Sequence, residues 1–342
     1  MIMKKHIRML DLYRFLATVA VFLFHYTYRY FEAVGQPYGY PVSFPYFGEF
    51  GVSLLFVITA FLSMMSVEKE TSARIYFVKR LSRLWPVYAI CIVLTSIATW
   101  LFFRPLSPSV PQFLVNFTML QKLVGFNGVD GAYWTLSYQL LFYGVLAVVI
   151  WLKKTKSIPE LLLAWTVLCI PLSVLKYMGN NHAVLKLARL GMMSDYLPYF
   201  ALGAFSYFLY RGREKRMLIL CAACMALSAV DIYFAHGRVG IVMFAVDLCL
   251  MIPVIIRIEP PKWLDSRAVR GFSDISYPFY LLHQYIGYVI LFYLRRAGMT
   301  SEAVILIPAA IIALVSIPLH RYVEIPAWQS VSKRLRQRNN SR

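Results

Sequence analysis

Charge is scarce in this chain. Only 15% of its 342 residues are Asp, Glu, Lys or Arg, and just 16 of them are acidic. Soluble domains carry about 25% charged residues, so too few are present to cover an aqueous exterior, and a soluble enzyme is excluded. Cysteine is also sparse. Cys91, Cys169, Cys221, Cys224 and Cys249 all fall in apolar stretches, which excludes an extracellular disulfide framework. Cys221 and Cys224 have C-x-x-C spacing but no second ligand pair, so they read as small packing residues. Nothing here requires a metal. No linker rich in Gly, Pro or Ser and no internal repeat interrupts the sequence. It reads as one membrane domain over residues 1–329 with a basic cytoplasmic tail over 330–342. The first apolar stretch carries Asp11, Arg14 and His25 and has no small-residue cleavage site, unlike a removable leader.

What the chain has is apolar length. Sixty per cent of its residues are hydrophobic and the mean hydropathy is +0.61. The apolar residues form blocks near the roughly 20 residues that cross a hydrocarbon core as a helix: Leu10–Tyr28, Gly48–Val67, Leu84–Phe103, Ala132–Trp151, Leu161–Tyr177, Leu197–Tyr210, Met217–Ala235, Gly240–Ile256, Ile275–Leu294 and Ala303–Tyr322. The expected fold is an all-α integral membrane protein, a single bundle of about ten transmembrane helices. A net charge of +19 would suggest nucleic acid in a soluble chain. Here the basic residues cluster at alternate helix ends. With the N-terminus cytoplasmic, the inside segments hold 24 of them, from Lys4 and Lys5 to Arg342, against nine outside. That asymmetry follows the positive-inside rule with both termini cytoplasmic, and no nucleic-acid partner is needed. The longest outside segments, 104–131 and 178–196, are too short to fold alone and read as caps or mouths over a cavity.

Ionisable side chains within spans are costly and mark candidate sites. Asp11 and Arg14 are i,i+3 neighbours in the first span, and His25 lies about 16 Å beyond Arg14, nearly three full turns on, so both project from one face. Taken alone, Arg14 reads equally as a snorkelling anchor and His25 as a histidine bonded to a backbone carbonyl or a neighbouring helix. Arg80 and Arg83, also i,i+3, suit a polyphosphate because each guanidinium holds phosphate oxygens bidentately. On spacing alone, the ordinary basic excess of a cytoplasmic loop accounts for them. His283 and Asp247 fall well inside spans. Glu324, at the edge of the last span, lies at a depth suited to an ion pair with Arg14.

Six stretches then fall in order along the chain: Leu10-Asp11-Leu12-Tyr13-Arg14 leading to His25 as R-x10-H; Gly51 to Leu62; Arg80-x-x-Arg83; Tyr133-Trp134-Thr135-Leu136-Ser137-Tyr138-Gln139 with Phe142-Tyr143; Ile275 to His283; and Val323-Glu324-Ile325-Pro326. Together they resemble the membrane acyltransferase-3 family of bacterial carbohydrate O-acyltransferases. The resemblance implies a multi-pass protein of the bacterial cytoplasmic membrane. Its donor would be an acyl-CoA, usually acetyl-CoA, and its partner a carbohydrate acceptor, a hydroxyl of a surface glycan or lipid-linked precursor. It makes His25 and Arg14 the catalytic candidates and Arg80 and Arg83 the donor-binding ones, with Trp134, Gln139, His283 and Glu324 as further site candidates. His25 would act as general base or acyl carrier. The chain departs from the family pattern twice. Thr59-Ala60 stands where Ser-Gly is usual, and Gln139 stands where a glutamate is usual, so a role that needs a carboxylate there does not transfer.

An envelope transporter or glycan exporter is the rival reading, since buried ionisable residues in ten spans suit one as well, although no inverted repeat is visible. A purely structural envelope partner is a third reading, and it leaves His25 and His283 unexplained. The charge asymmetry makes the topology testable. In a background lacking the native cysteines, Val184→Cys should react with an impermeant maleimide in intact cells and Thr155→Cys should not. The opposite pattern would invert the orientation.

Overall fold

The computed structural model of the chain describes residues 7–35 and 43–340. Lys4, Lys5 and Arg342, which belong to the inside basic residues, lie outside the described residues. Among the described residues all regular structure is helical. In order, the α-helices are Arg8–Phe24 (α1), Tyr30–Val34 (α2), Phe47–Val67 (α3), Ala73–Phe102 (α4), Val110–Asn116 (α5), Trp134–Trp151 (α6), Ile158–Tyr177 (α7), Ala183–Met192 (α8), Leu197–Arg211 (α9), Lys215–Ile255 (α10), Arg267–Leu282 (α11), Tyr285–Arg296 (α12), Leu306–Pro318 (α13) and Ile325–Asn340 (α14). Helix dominates because lipid offers no partner to a backbone N–H or C=O, so each span must bond to itself.

Among the described residues, seven helical runs are long and apolar enough to cross a membrane: Arg8–Val34, Phe47–Val67, Ala73–Phe102, Gly131–Trp151, Thr155–Tyr177, Lys215–Ile255 and Glu302–Leu335. The other stretches read as spans take different forms. α9 has only 15 residues, about 22 Å of helix against a hydrocarbon core of about 30 Å. The stretches 217–235 and 240–256 share the 41-residue α10, which kinks at Gly237 (φ 69°, ψ −157°), a conformation open to glycine because it has no Cβ. The stretch 275–294 is broken into α11 and α12 at His283-Gln284.

The chain packs as two compact units that alternate along the sequence. The first comprises Met1–Ala17, Glu49–Tyr76 and Leu141–Val269. In it α10 packs along α7 and α9, and α9 is buried without interruption from Leu197 to Tyr207. Phe200 stacks on Phe56 and packs tilted against Phe142, with ring centroids 4.7 and 4.6 Å away. A Cβ on Gly203 would lie 2.1 Å from the Val57 carbonyl oxygen and 2.9 Å from Ala60 Cβ. Gly203 thus lets α9 come close to α3 beside Thr59-Ala60. Packing of this kind matters in lipid, where helices gain nothing from leaving water.

The second unit comprises Thr18–Gly48, Phe77–Leu140 and Arg270–Arg342. Its segment 103–130 is folded. Ser109 and Gln112 form a capping box on α5. The fully buried Asn116 donates to the Gln112 and Asn127 carbonyls at 2.7 and 3.0 Å and accepts from the Val129 amide at 2.9 Å. The segment ends at Asp130, whose carboxylate belongs to the candidate active site. Tail residues from Ser330 continue α14 as helix to Asn340.

The close approach at Gly203 has a measurable consequence. Gly203→Ala should lower the unfolding temperature in detergent by the equivalent of about 1–3 kcal/mol, the usual cost of overpacking. Gly144→Ala, in α6 with open space around its Cβ position, should be neutral or stabilising. Equal behaviour of the two variants would contradict the packing described.

Candidate active site

In the second unit, regular α-helical hydrogen bonding gives way at two histidines, His25 and His283. After Phe24 the chain passes through a π-helical turn, His25–Arg29, before α2 resumes. A π turn inserts a residue and rotates the helix beyond it, a device frequent at functional sites. α11 stops at Leu282, and α12 starts again at Tyr285.

The two histidines meet. His283 Nε2 lies 3.1 Å from His25 Nδ1, and the rings sit edge to face with centroids 4.8 Å apart. His25 Nδ1 is also 2.9 Å from the Val21 carbonyl oxygen, and His283 Nδ1 is 2.7 Å from that of Tyr280. A carbonyl oxygen can only accept, so both Nδ1 atoms carry the proton. The His25 Nδ1–H is then shared between the Val21 carbonyl and the His283 Nε2 lone pair. His25 Nε2 is left as an unprotonated base. Both rings are buried, His283 at 1% exposure and His25 at 8%.

The backbone around the pair is tied reciprocally. The Tyr26 hydroxyl donates to the His283 carbonyl at 2.6 Å, and the Tyr288 hydroxyl, from α12, donates to the His25 carbonyl at 3.1 Å. These bonds fall on carbonyls at the two irregular points, and that of His25 also accepts the Tyr30 amide that closes the π turn. Tyr26 fits only because residue 287 is glycine: a Cβ there would lie 1.4 Å from the tyrosine oxygen. On the far side of the break, Asp130 Oδ2 accepts from the Tyr285 amide at 2.8 Å while Oδ1 accepts from the Ala132 amide at 2.9 Å. One carboxylate thus fixes both the restart of α12 and the turn that leads into α6. Asp130 is fully buried, and burial pushes its carboxyl up to about 7, against the two amide bonds that favour the charged form.

The other candidates fall as follows. Arg83 Nε donates to Glu324 Oε1 at 3.3 Å, and His320 Nδ1 is 2.9 Å from Glu324 Oε2. Glu324 closes a second π-helical turn, Leu319–Glu324. Its partners are Arg83 and His320, which corrects the expected pairing with Arg14: in the first unit Arg14 Nη1 lies 3.3 Å from Asp11 Oδ1. Arg80 is partly buried one turn before Arg83 on α4. Trp134 opens α6 with the Lys122 ammonium 5.1 Å from its ring centroid, and Gln139 is partly buried on the same helix. Asp247 is fully buried on α10 in the first unit. The structure therefore joins His25 to His283 and Arg83 to Glu324. Sequence reasoning missed Asp130, Tyr26, Tyr288 and His320. The i,i+4 spacing of His320 and Glu324 was a usable signal; Asp130 sits among loop residues that carry none.

The sequence model of the acyltransferase 3 family, described as an acyltransferase domain, matches residues 7–319. No curated protein and no solved structure matches the chain.

The buried Asp130 predicts a pH dependence of stability. Its folded value is raised above the unfolded 3.8, so the folded state holds the proton where the unfolded state has lost it. The contribution is fully present below about pH 4 and falls by about 1.4 kcal/mol per pH unit until about pH 7, beyond which it is flat. Unfolding in detergent at pH 5 and pH 7 should show this decline in the wild type and a smaller one in Asp130→Asn. Parallel slopes would contradict the assignment.

Proposed function

Because the chain belongs to the acyltransferase 3 family of membrane acyltransferases, we propose that it moves an acyl group, acetyl in the first instance, from cytosolic acyl-CoA to a hydroxyl of a surface polysaccharide or lipid-linked glycan. The observation that carries this reading is the hydrogen bond between His25 and His283. It leaves His25 Nε2 as the free base. That nitrogen takes the proton of the acceptor hydroxyl as its oxygen attacks the thioester carbonyl. The C–S bond breaks, the O-acyl ester forms, and the departing thiolate takes the proton back from His25, so the products are the ester and free CoA. During the step the imidazolium is stabilised through Nδ1–H by the Val21 carbonyl and the His283 lone pair. A base oriented by a second group is a recurrent arrangement in acyl transfer.

Donor binding falls to Arg80 and Arg83. Glu324 takes Nε of Arg83, while the half-exposed guanidinium keeps its two terminal nitrogens for phosphate oxygens. Arg14, held by Asp11, orients charge in the first span. Gln139 provides hydrogen bonds only, in place of the usual carboxylate. In this reading the protein crosses a bacterial cytoplasmic membrane about ten times with both termini inside. α9, the two limbs of α10 and the broken α11–α12 pair each serve as crossings.

General-base catalysis contributes about 10²- to 10⁴-fold, so His25→Ala should abolish detectable acyl transfer while CoA still binds. His25→Gln should fail as well, since an amide cannot accept the proton. Replacing Arg80 and Arg83 together by Gln should weaken CoA binding by about 3–6 kcal/mol, from two charge-assisted contacts of about 1.5–3 kcal/mol each. The readouts are O-acyl groups on envelope glycans at matched expression and CoA affinity of the purified variants. Wild-type acylation in His25→Ala would remove the catalytic assignment; loss of glycan export with acylation intact would favour an exporter.

A further inference from the structure

Gln284 follows His283 directly and occupies the break between α11 and α12. It is 5% exposed, yet its Oε1, itself buried, has no hydrogen-bond partner among the described residues. Of the other amides in the same unit, Gln121 also has a buried Oε1 without a partner among the described residues, although its Nε2 donates to the Tyr133 carbonyl at 3.5 Å. Asn116, by contrast, binds through both ends, and Gln112 donates to the Gly128 carbonyl at 3.0 Å while receiving the Ser109 amide. A buried amide oxygen left without a partner is disfavoured, and an apolar side chain of similar size would remove the penalty. The position keeps the amide nonetheless, and the surroundings hold it in place. The Tyr285 amide beside it is pinned by Asp130. Gly131 backs the side chain so closely that a Cβ there would lie 2.5 Å from Nε2 and 2.7 Å from Oε1.

We propose that Gln284 binds the acceptor, its amide engaging a second hydroxyl of the same sugar whose neighbouring hydroxyl is acylated at His25. The inference rests on the acyl-transfer reading and names the acceptor class: a neutral diol unit. An uncharged amide offers one acceptor oxygen and two donors, which matches a hydroxyl that both donates and accepts. It gives no charge compensation to a carboxylate or phosphate at that point. A group built to bond a hydroxyl rejects an analogue that lacks it far more strongly than an apolar pocket could.

The test uses purified full-length protein in detergent with acetyl-CoA, and as acceptors a panel of methyl glycosides with their monodeoxy analogues. Wild type should prefer a parent glycoside to one monodeoxy analogue. Gln284→Met should raise the acceptor KM tenfold or more and lose that preference, with CoA affinity unchanged and thermal stability equal or higher. Gly131→Ala, which displaces the amide without deleting it, should also raise the acceptor KM. A Gln284→Met protein with wild-type KM and preference would overturn the proposal. If that variant does not fold, Gly131→Ala decides: a wild-type KM overturns the proposal and a raised KM supports it. Should wild type transfer acetyl neither to the panel nor to the glycans of its own host cells, the acyl-transfer reading itself fails, and this inference falls with it.

Discussion

The second unit depends on keeping two imidazoles in one orientation within a region that disfavours polar groups. A histidine beside a single backbone carbonyl can rotate or change tautomer. His25 is denied both, because its Nδ1 is shared between Val21 and His283, and His283 is itself locked by Tyr280. The irregular backbone serves this requirement. A continuous α-helix through residue 25 would give its carbonyl the amide four residues on; in the π turn the carbonyl accepts the Tyr30 amide instead, and the Tyr288 hydroxyl as a second donor. An unbroken helix through 283 would have no place for the hydroxyl of Tyr26. Each irregularity would be costly alone, and each supplies the acceptor that the other needs.

Glycine and aspartate make the arrangement possible. Gly287 leaves room for the Tyr26 hydroxyl, and Gly131 leaves room for the Gln284 amide. Asp130 replaces the hydrogen-bond partner that the Tyr285 amide loses when α11 ends. In the first unit the same economy operates without chemistry: Gly203 lets α9 approach the backbone of α3. Where apolar transfer gives no drive between helices, close backbone approach and satisfied polar groups supply the cohesion.

Glu324 illustrates how a charged residue is retained in such a chain. Its carboxylate side chain is 5% exposed, and it meets Arg83 on one oxygen and His320 on the other. A buried carboxylate with a single long partner would be an expensive feature. With two partners it becomes a fixed point that orients a half-exposed guanidinium. The expected pairing with Arg14 rested on depth along the membrane alone, and depth does not say which helix faces which.

Hydropathy determined by itself that the chain is helical and membrane-embedded, because a run of apolar residues in lipid has no stable alternative to a self-bonded helix. Six ordered motifs were enough to identify the family and to single out His25, His283, Arg80 and Arg83 as candidates. Which of these touch was decided by the tertiary structure. His25 and His283 are 258 positions apart, and Arg83 and Glu324 are 241. In a soluble helix the polar face would have shown which side turns inward. Here the inward and lipid-facing sides are alike apolar, so periodicity carries no such mark. The π turn at His25 and the break at His283 were equally invisible, since the tyrosine that each receives comes from the other, distant segment.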